Sequence, residues 1–368
     1  MRIKRLVVVS LILLLGLSGW KETKGEEAQK EVYVPEVIIE GKWGSGPGEF
    51  GLFKREMSGD HGMPNCIEVD KKGCLYILDP ANGRILKFDK DGRFIRTIDL
   101  EATGFPEGDK FHKLYPFYIQ PEILLDGSSC GRKLKIDDEG NIYFCDFRLS
   151  ILKFSKNGKF LYEYNLPRKK SYVEEEDFSD FYFSEKGDLI AKVAKGEKGK
   201  WEKRLVKLTP SGMVKVDSEV AKKIWQERKL KEERIKTEKI KEEPNPELSR
   251  KGYVVYYSEI IGEDKENNLY IKVGAKNPDI KKYINQIYKY SPEGKLLSIF
   301  GEREEGLGED IFVVTESGVA YELWIPVKMK KLSKPKAVYS PEGELWGYAH
   351  QEYIFPEYVK VIKWEKRR

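Results

Sequence analysis

One pattern recurs five times along this chain and limits what it can fold into. It runs apolar, any residue, apolar, then a short polar turn, then a second apolar run. The copies are IEVDKKGCLYI (67–77), LKIDDEGNIYF (134–144), FYFSEKGDLIA (181–191), IGEDKENNLYI (261–271) and FVVTESGVAYE (312–322). Alternation of period two around a polar, glycine-bearing turn is the signature of a β-hairpin. Gly73, Gly140, Gly187 and Gly318 stand where a left-handed turn residue is required, and Asn267 takes that place in the fourth copy.

A second strand–turn–strand segment follows each copy: RILKFDKDGRFIRTI (84–98), SILKFSKNGKFLYEY (150–164), RLVKLTPSGMVKV (204–216), QIYKYSPEGKLLSIF (286–300) and KAVYSPEGELWGYA (336–349). Gly92, Gly158, Gly212, Gly294 and Gly343 mark its turns. Each repeat therefore supplies four short antiparallel strands, and repeated units of that kind form a β-propeller. The ends supply a further blade. EYIFPEYVKVIKWE (352–365) matches strands without an outer partner, and EVIIEGKWGSGPGEFG (36–51) is a spare outer strand. Pairing them closes the ring and removes an exposed edge. The expectation is an all-β, six-bladed propeller of four-stranded antiparallel blades over 33–366, closed by the N-terminal strand, with one helical insertion.

The residues from 41 to 95 resemble an NHL repeat. A glycine-rich link (Gly44, Gly46, Gly48) ends in Phe50, Pro64 precedes the inner strand, Asp79 follows the second, and Asn82 then Arg84 open the third. The second copy keeps Asp146 and Arg148, and later copies lose both. The resemblance implies a six-bladed propeller used mostly for binding. Some relatives, the amidating lyases among them, hold zinc with three histidines around the axis.

The first residues, MRIKRLVVVSLILLLGLSGW, read as a basic segment, an apolar core and small residues suited to cleavage. This is a signal peptide over 1–19 or an uncleaved anchor, followed by a polar linker over 20–32. The location expected is secreted or periplasmic, with membrane attachment only through that segment. Trp20 stands where a lipoprotein signal would place Cys. The chain carries a net charge of +5. Loss of Arg2, Lys4 and Arg5 leaves it near neutral, so bulk charge gives no reason to expect a nucleic-acid partner.

Links between blades share a face with the loops joining second to third strands, and such loops carry function on a rigid scaffold. Two insertions fall in links. The first, about 101–131, crowds Phe105, Phe111, Tyr115, Phe117 and Tyr118 into one loop, either a recognition surface or a plug over the first blades. The second, about 217–250, is a Lys/Glu-rich helix without a clean apolar stripe. Asp79, Asn82 and Arg84, with Asp146 and Arg148, form corners facing the same side.

The three histidines, His61, His112 and His350, fall in or near links leading to inner strands. They are the candidate ligands of a single axial zinc, in which case the protein is a metal-dependent hydrolase or lyase. The turns DKKG, DKDG and DDEG are too short for an EF-hand, and other copies replace the Asp. They are turn chemistry, although one structural calcium at the axis is compatible with them. Cys66, Cys74, Cys130 and Cys145 form no CxxC pair; Cys130 and Cys145 are near enough for a disulfide, against a reading as free thiols. No phosphate loop, nucleophile elbow or HExxH is present. The favoured reading is a monomeric, non-catalytic module without a cofactor. It binds a protein, peptide or glycan through His61, Asp79, Asn82, Arg84, Phe111, His112, Tyr115, Phe117, Tyr118, Asp146, Arg148 and His350.

Overall fold

The computed structural model describes residues 31–52, 63–100, 134–145, 150–165, 174–184, 187–197, 200–209, 211–216, 226, 246–279, 282–304, 311–339 and 345–367. After β1 (Tyr33–Lys42), four consecutive strands make each sheet in turn. The first sheet is β2 (Cys66–Val69), β3 (Leu75–Asp79), β4 (Arg84–Phe88) and β5 (Phe94–Asp99). The second is β6 (Leu134–Ile136), β7 (Ile142–Cys145), β8 (Ser150–Phe154) and β9 (Phe160–Asn165). The third is β10 (Glu174–Phe183), β11 (Leu189–Glu197), β12 (Lys200–Thr209) and β13 (Gly212–Lys215). A short helix, α1 (Pro246–Arg250), precedes the fourth: β14 (Val254–Glu263), β15 (Leu269–Asn277), β16 (Lys282–Tyr290) and β17 (Leu296–Glu304). Every pair is antiparallel, and the inner strands β14, β18, β2 and β6 approach one another in that order. This is β-propeller architecture.

The C-terminal assignment differs from expectation. β18 (Ile311–Val314) and β19 (Ala320–Trp324) are followed by a separate two-stranded hairpin, β20 (Lys328–Tyr339) and β21 (Leu345–Ile354). The last strand, β22 (Tyr358–Lys366), then pairs with β19, and β1 pairs with β22 as the outer strand. Segments expected to open a sixth blade thus complete the fifth sheet. Five four-stranded sheets and one two-stranded sheet are present among the described residues. The register of β22 matches that of the third strand in the other four-stranded sheets. In each four-stranded sheet a lysine of the third strand faces the same position of the second: Lys87 with Tyr76, Lys153 with Tyr143, Lys207 with Ile190, Lys289 with Tyr270, and Lys363 with Tyr321. β22 carries the fifth of these lysines and takes the third place.

The turns follow the sequence. Gly73, Gly140, Gly187 and Gly318 have positive φ, and Asn267 adopts φ 61°. Gly212 departs from the expected turn role and lies within β13, paired with Thr209. The apolar core sits between sheets. One cluster joins Ile39, Val359 and Val361 of the fifth sheet to Ile67, Ile77 and Leu86 of the first. Another joins Leu78 and Ile85 of the first to Phe144 and Leu152 of the second. Complete burial of one such side chain contributes ~1.5–3 kcal/mol. β3 is buried at all five positions because both its faces are covered, whereas β5 is open over its first three residues.

Candidate interaction face

The Asp79–Asn82–Arg84 corner is a latch. A single 3₁₀ turn, Pro80–Asn82, ends at Gly83 with φ 64°, which returns the chain sharply into β4. Asp79 is fully buried and Arg84 nearly so. Asp79 accepts from the Gly51 N–H (2.9 Å), from Asn82 Nδ2 (2.8 Å) and from Arg84 Nε (2.9 Å). Arg84 donates from Nη1 to the carbonyl of Ser45 (2.6 Å) and from Nη2 to those of Gly46 (3.3 Å) and Glu49 (2.9 Å), and Asn82 donates to that of Gly44 (2.9 Å). A Cβ on Gly51 would stand 2.5 Å from Asp79 Oδ1, so only glycine admits this approach. Burial pushes the Asp79 carboxyl above its ordinary value, against the pull of Asn82 and Arg84. The polar groups that the sequence places toward a ligand are engaged by the backbone of the glycine-rich link.

The latched link in turn holds the hairpin. Trp43 donates Nε1–H to the Pro356 carbonyl at 2.6 Å, and its ring meets Phe355 edge-on. Phe355 and Tyr353 pack on the cluster between the fifth and first sheets, and Ile325 and Val327 are buried at the foot of β20. Above this foot one face of the hairpin is bare. Tyr348, His350, Glu352 and Ile354 alternate along β21 and are all exposed, and Lys328 and Lys330 face Ile354 and Glu352 from β20.

His350 therefore lies on an exposed strand and not in a link leading to an inner strand. His61, Phe111, His112, Tyr115, Phe117, Tyr118, Asp146 and Arg148 lie outside the described residues, as do most of both insertions and Cys130. Neither Cys66 nor Cys74 is in a disulfide. Among the described residues no group of three His, Cys, Asp or Glu side chains is placed to hold a metal ion. On the same end, the bulged Tyr256 of β14 meets Tyr283 of β16 edge-on at 5.8 Å, and both are exposed.

The opposite end carries a repeated acid–tyrosine–lysine arrangement that the sequence reading missed. Tyr76, Tyr143 and Tyr270 donate to Asp70, Asp137 and Asp264 at 3.1, 3.0 and 3.1 Å. Lys87 donates to the Tyr76 oxygen at 2.5 Å, and Lys153 and Lys289 lie over the rings of Tyr143 and Tyr270. The other oxygen of each Asp accepts two backbone N–H groups of its own turn, which makes these acids turn chemistry. Burial pushes all three tyrosines up, reinforced by the neighbouring carboxylate at Tyr76 and Tyr143 and by Tyr33 and then Asp264 at Tyr270. The signal was legible: a tyrosine six residues after each of these three aspartates.

In the fourth sheet this arrangement is sealed. A depression of about 240 Å³ opens between the turns at 264–266 and 316–319 and the C-terminal residues Glu365–Arg367. On its floor Lys289 binds Glu31 at 2.8 Å and lies 3.4 Å from Asp264, and Lys366 binds the other Glu31 oxygen at 2.7 Å. Tyr33 shares a hydrogen bond with Tyr270 at 2.9 Å and stacks on Phe300. Burial opposes ionisation of Glu31 and Asp264. The lysines on Glu31, and the Asn268 bonds with the Lys289 charge on Asp264, overcome it and hold both carboxyls below their ordinary values.

No protein-family model matches the chain, and no curated protein does. Solved structures align along most of it. A Bacteroides fragilis protein described as exported aligns with TM-score 0.36 and 12% identity, covering 91% of this chain and 96% of that one. Virginiamycin B lyase from Staphylococcus aureus aligns with TM-score 0.35 and 10% identity, covering 90% and 99%. The Dos1 propeller aligns with TM-score 0.27 and 10% identity, covering 90% and 95%.

Proposed function

We propose that this chain is an exported, non-catalytic β-propeller of NHL-repeat type that binds a protein, peptide or glycan on the link end of its ring. The observation that carries this reading is the β20–β21 hairpin. No blade requires it, its foot is fixed by Trp43, Phe355 and the Arg84 latch, and its bare face presents Tyr348 and Ile354 beside lysines. Exposed aromatic and aliphatic side chains on a rigid support lose little entropy on binding. Tyr256 and Tyr283 extend the same end. A ring closed through β1 supports this placement. A Cβ on Gly92 would overlap the Ile38 carbonyl of β1, as one on Gly158 would overlap the Asp99 carbonyl of β5. The fifth sheet thus meets the first as the first meets the second.

The test uses the purified mature protein on an immobilised panel of glycans and peptides, with metal analysis of the same sample. Binding that is lost in a Tyr348→Ala/Ile354→Ala variant, and kept in a Lys72→Ala variant at the opposite end, supports the reading. Stoichiometric zinc or calcium that disappears in His61→Ala or His112→Ala overturns it in favour of a metal-dependent hydrolase or lyase.

A further inference from the structure

We infer that the free edge of β20 is a docking strand for an extended acidic polypeptide segment, which adds as a third strand to the hairpin. This rests on the binding reading above and names the partner's chemistry. β20 reads KMKKLSKPKAVY: five lysines and no acid. Lys328, Lys330, Lys331, Lys334 and Lys336 are all exposed. The facing strand offers a single carboxylate to them, Glu352 opposite Lys330. A chain that is near neutral after loss of its leader thus concentrates five positive charges on one strand.

Backbone geometry favours a polypeptide over another anion. β20 belongs to a sheet of two strands, so the backbone donors and acceptors of its outer edge have no strand partner among the described residues. An added peptide satisfies them, and its side chains then recur at ~6.8 Å along each face, the spacing of Lys328 and Lys330. Acidic residues at alternate positions of that peptide would meet the two lysines in turn. The register with β21 shifts between Lys331 and Lys336 and Pro335 has no N–H, so the regular pairing stretch is Lys328–Lys331. The same lysines repel the β20 edge of a second copy, which protects the edge from self-pairing and leaves it open to opposite charge. The foot below is already rigid, because Val327 is buried and Trp43 holds Pro356.

The test measures binding of poly-L-glutamate to the whole purified chain by interferometry, with polyacrylate, heparin and phosphatidylglycerol vesicles as competing anions. Two variants with the same change of net charge are compared: K328E/K330E/K331E on the hairpin and K72E/K90E/K265E at the opposite end. Poly-L-glutamate should bind, and weaken as salt rises. The hairpin variant should lose about tenfold or more in affinity while the opposite-end variant stays near wild type. Circular dichroism of both variants confirms that each is folded. Equal loss in both variants overturns the inference, since bulk charge then suffices. Equal binding of polyacrylate, heparin or vesicles overturns strand addition. If poly-L-glutamate fails to bind while the glycan and peptide panel still binds on the link end, this inference falls and the binding reading stands. If both fail, both fall.

Discussion

Two outer strands do the same job by different means. β5 closes the first sheet and is tethered to β4 by the turn at 89–93. β1 closes the fifth sheet, yet it comes from the other end of the chain and is joined to the first sheet by the link that ends at Asn65. Pairing β1 with β22 closes the stretch from 43 to 357, roughly six doublings longer than the turn at 89–93, which costs ~3.6 kcal/mol more in closure entropy. Tyr33 at the start of β1 and Glu31 two residues before it offset this cost with contacts to the fourth sheet and to β22. Glu31 binds Lys289 and Lys366, Tyr33 stacks on Phe300 at 4.1 Å, and Ser298 donates to the Glu31 carbonyl at 2.6 Å. The comparison teaches that a strand without a local turn is fastened by buried polar and aromatic contacts.

The largest expected effect is on the link itself. Arg84→Ala leaves Asp79 buried without its cation and frees the link that tethers β1, at a cost of ~4 kcal/mol. Lys71→Ala, which breaks an exposed pair with Asp138, should cost under ~0.5 kcal/mol. Urea unfolding measures both, and near-equal losses would break the latch assignment.

Gly92→Ala and Gly158→Ala come next. Each combines positive φ with overlap onto a neighbouring carbonyl, and each should cost ~3 kcal/mol. Gly187→Ala has similar φ and nothing within 4 Å, so it should cost only ~1 kcal/mol. A Gly92→Ala no worse than Gly187→Ala in thermal denaturation would show that β1 does not pack as β5 does.

Tyr33→Ala should cost ~2.5 kcal/mol, against ~1 kcal/mol for Phe94→Ala on the more open β5. The same unfolding assay decides, and equal values would remove the claim that β1 depends on its side chains.

The smallest effect is on pH dependence. Glu31 and Asp264 have folded values below their ordinary 4.5 and 3.8. Their contribution is complete above those ordinary values and is lost as pH falls through the folded ones. Glu31→Gln should therefore flatten the acid limb of a stability–pH curve and leave the neutral plateau lower. An unchanged acid limb would mean that the Glu31 fastening contributes nothing.

Much of this was legible from residues alone. The hairpins of the first and second sheets fall where alternation and turn glycines put them, and Asn267 takes the left-handed position. The pairing of the N-terminal strand with the C-terminal one was legible because each lacked a partner. The lysine run at 328–336 does not stand out in the sequence, because 336–349 matches the strand–turn–strand pattern and reads as part of a blade. The corner at Asp79 and its place on the link side are legible, but what its side chains bind is not. A buried Arg–Asp pair and a ligand-facing one have the same residues at the same spacing.

Local periodicity therefore determined strands, turns and the four-stranded unit, because side-chain alternation and left-handed turns depend on neighbours in the chain. The tertiary structure decided which sheet β22 joins, what Arg84 holds, and why Lys289 is sealed while Lys87 is more open. Those outcomes depend on which edges and carbonyls remain unpaired once distant segments meet, and no local pattern encodes that.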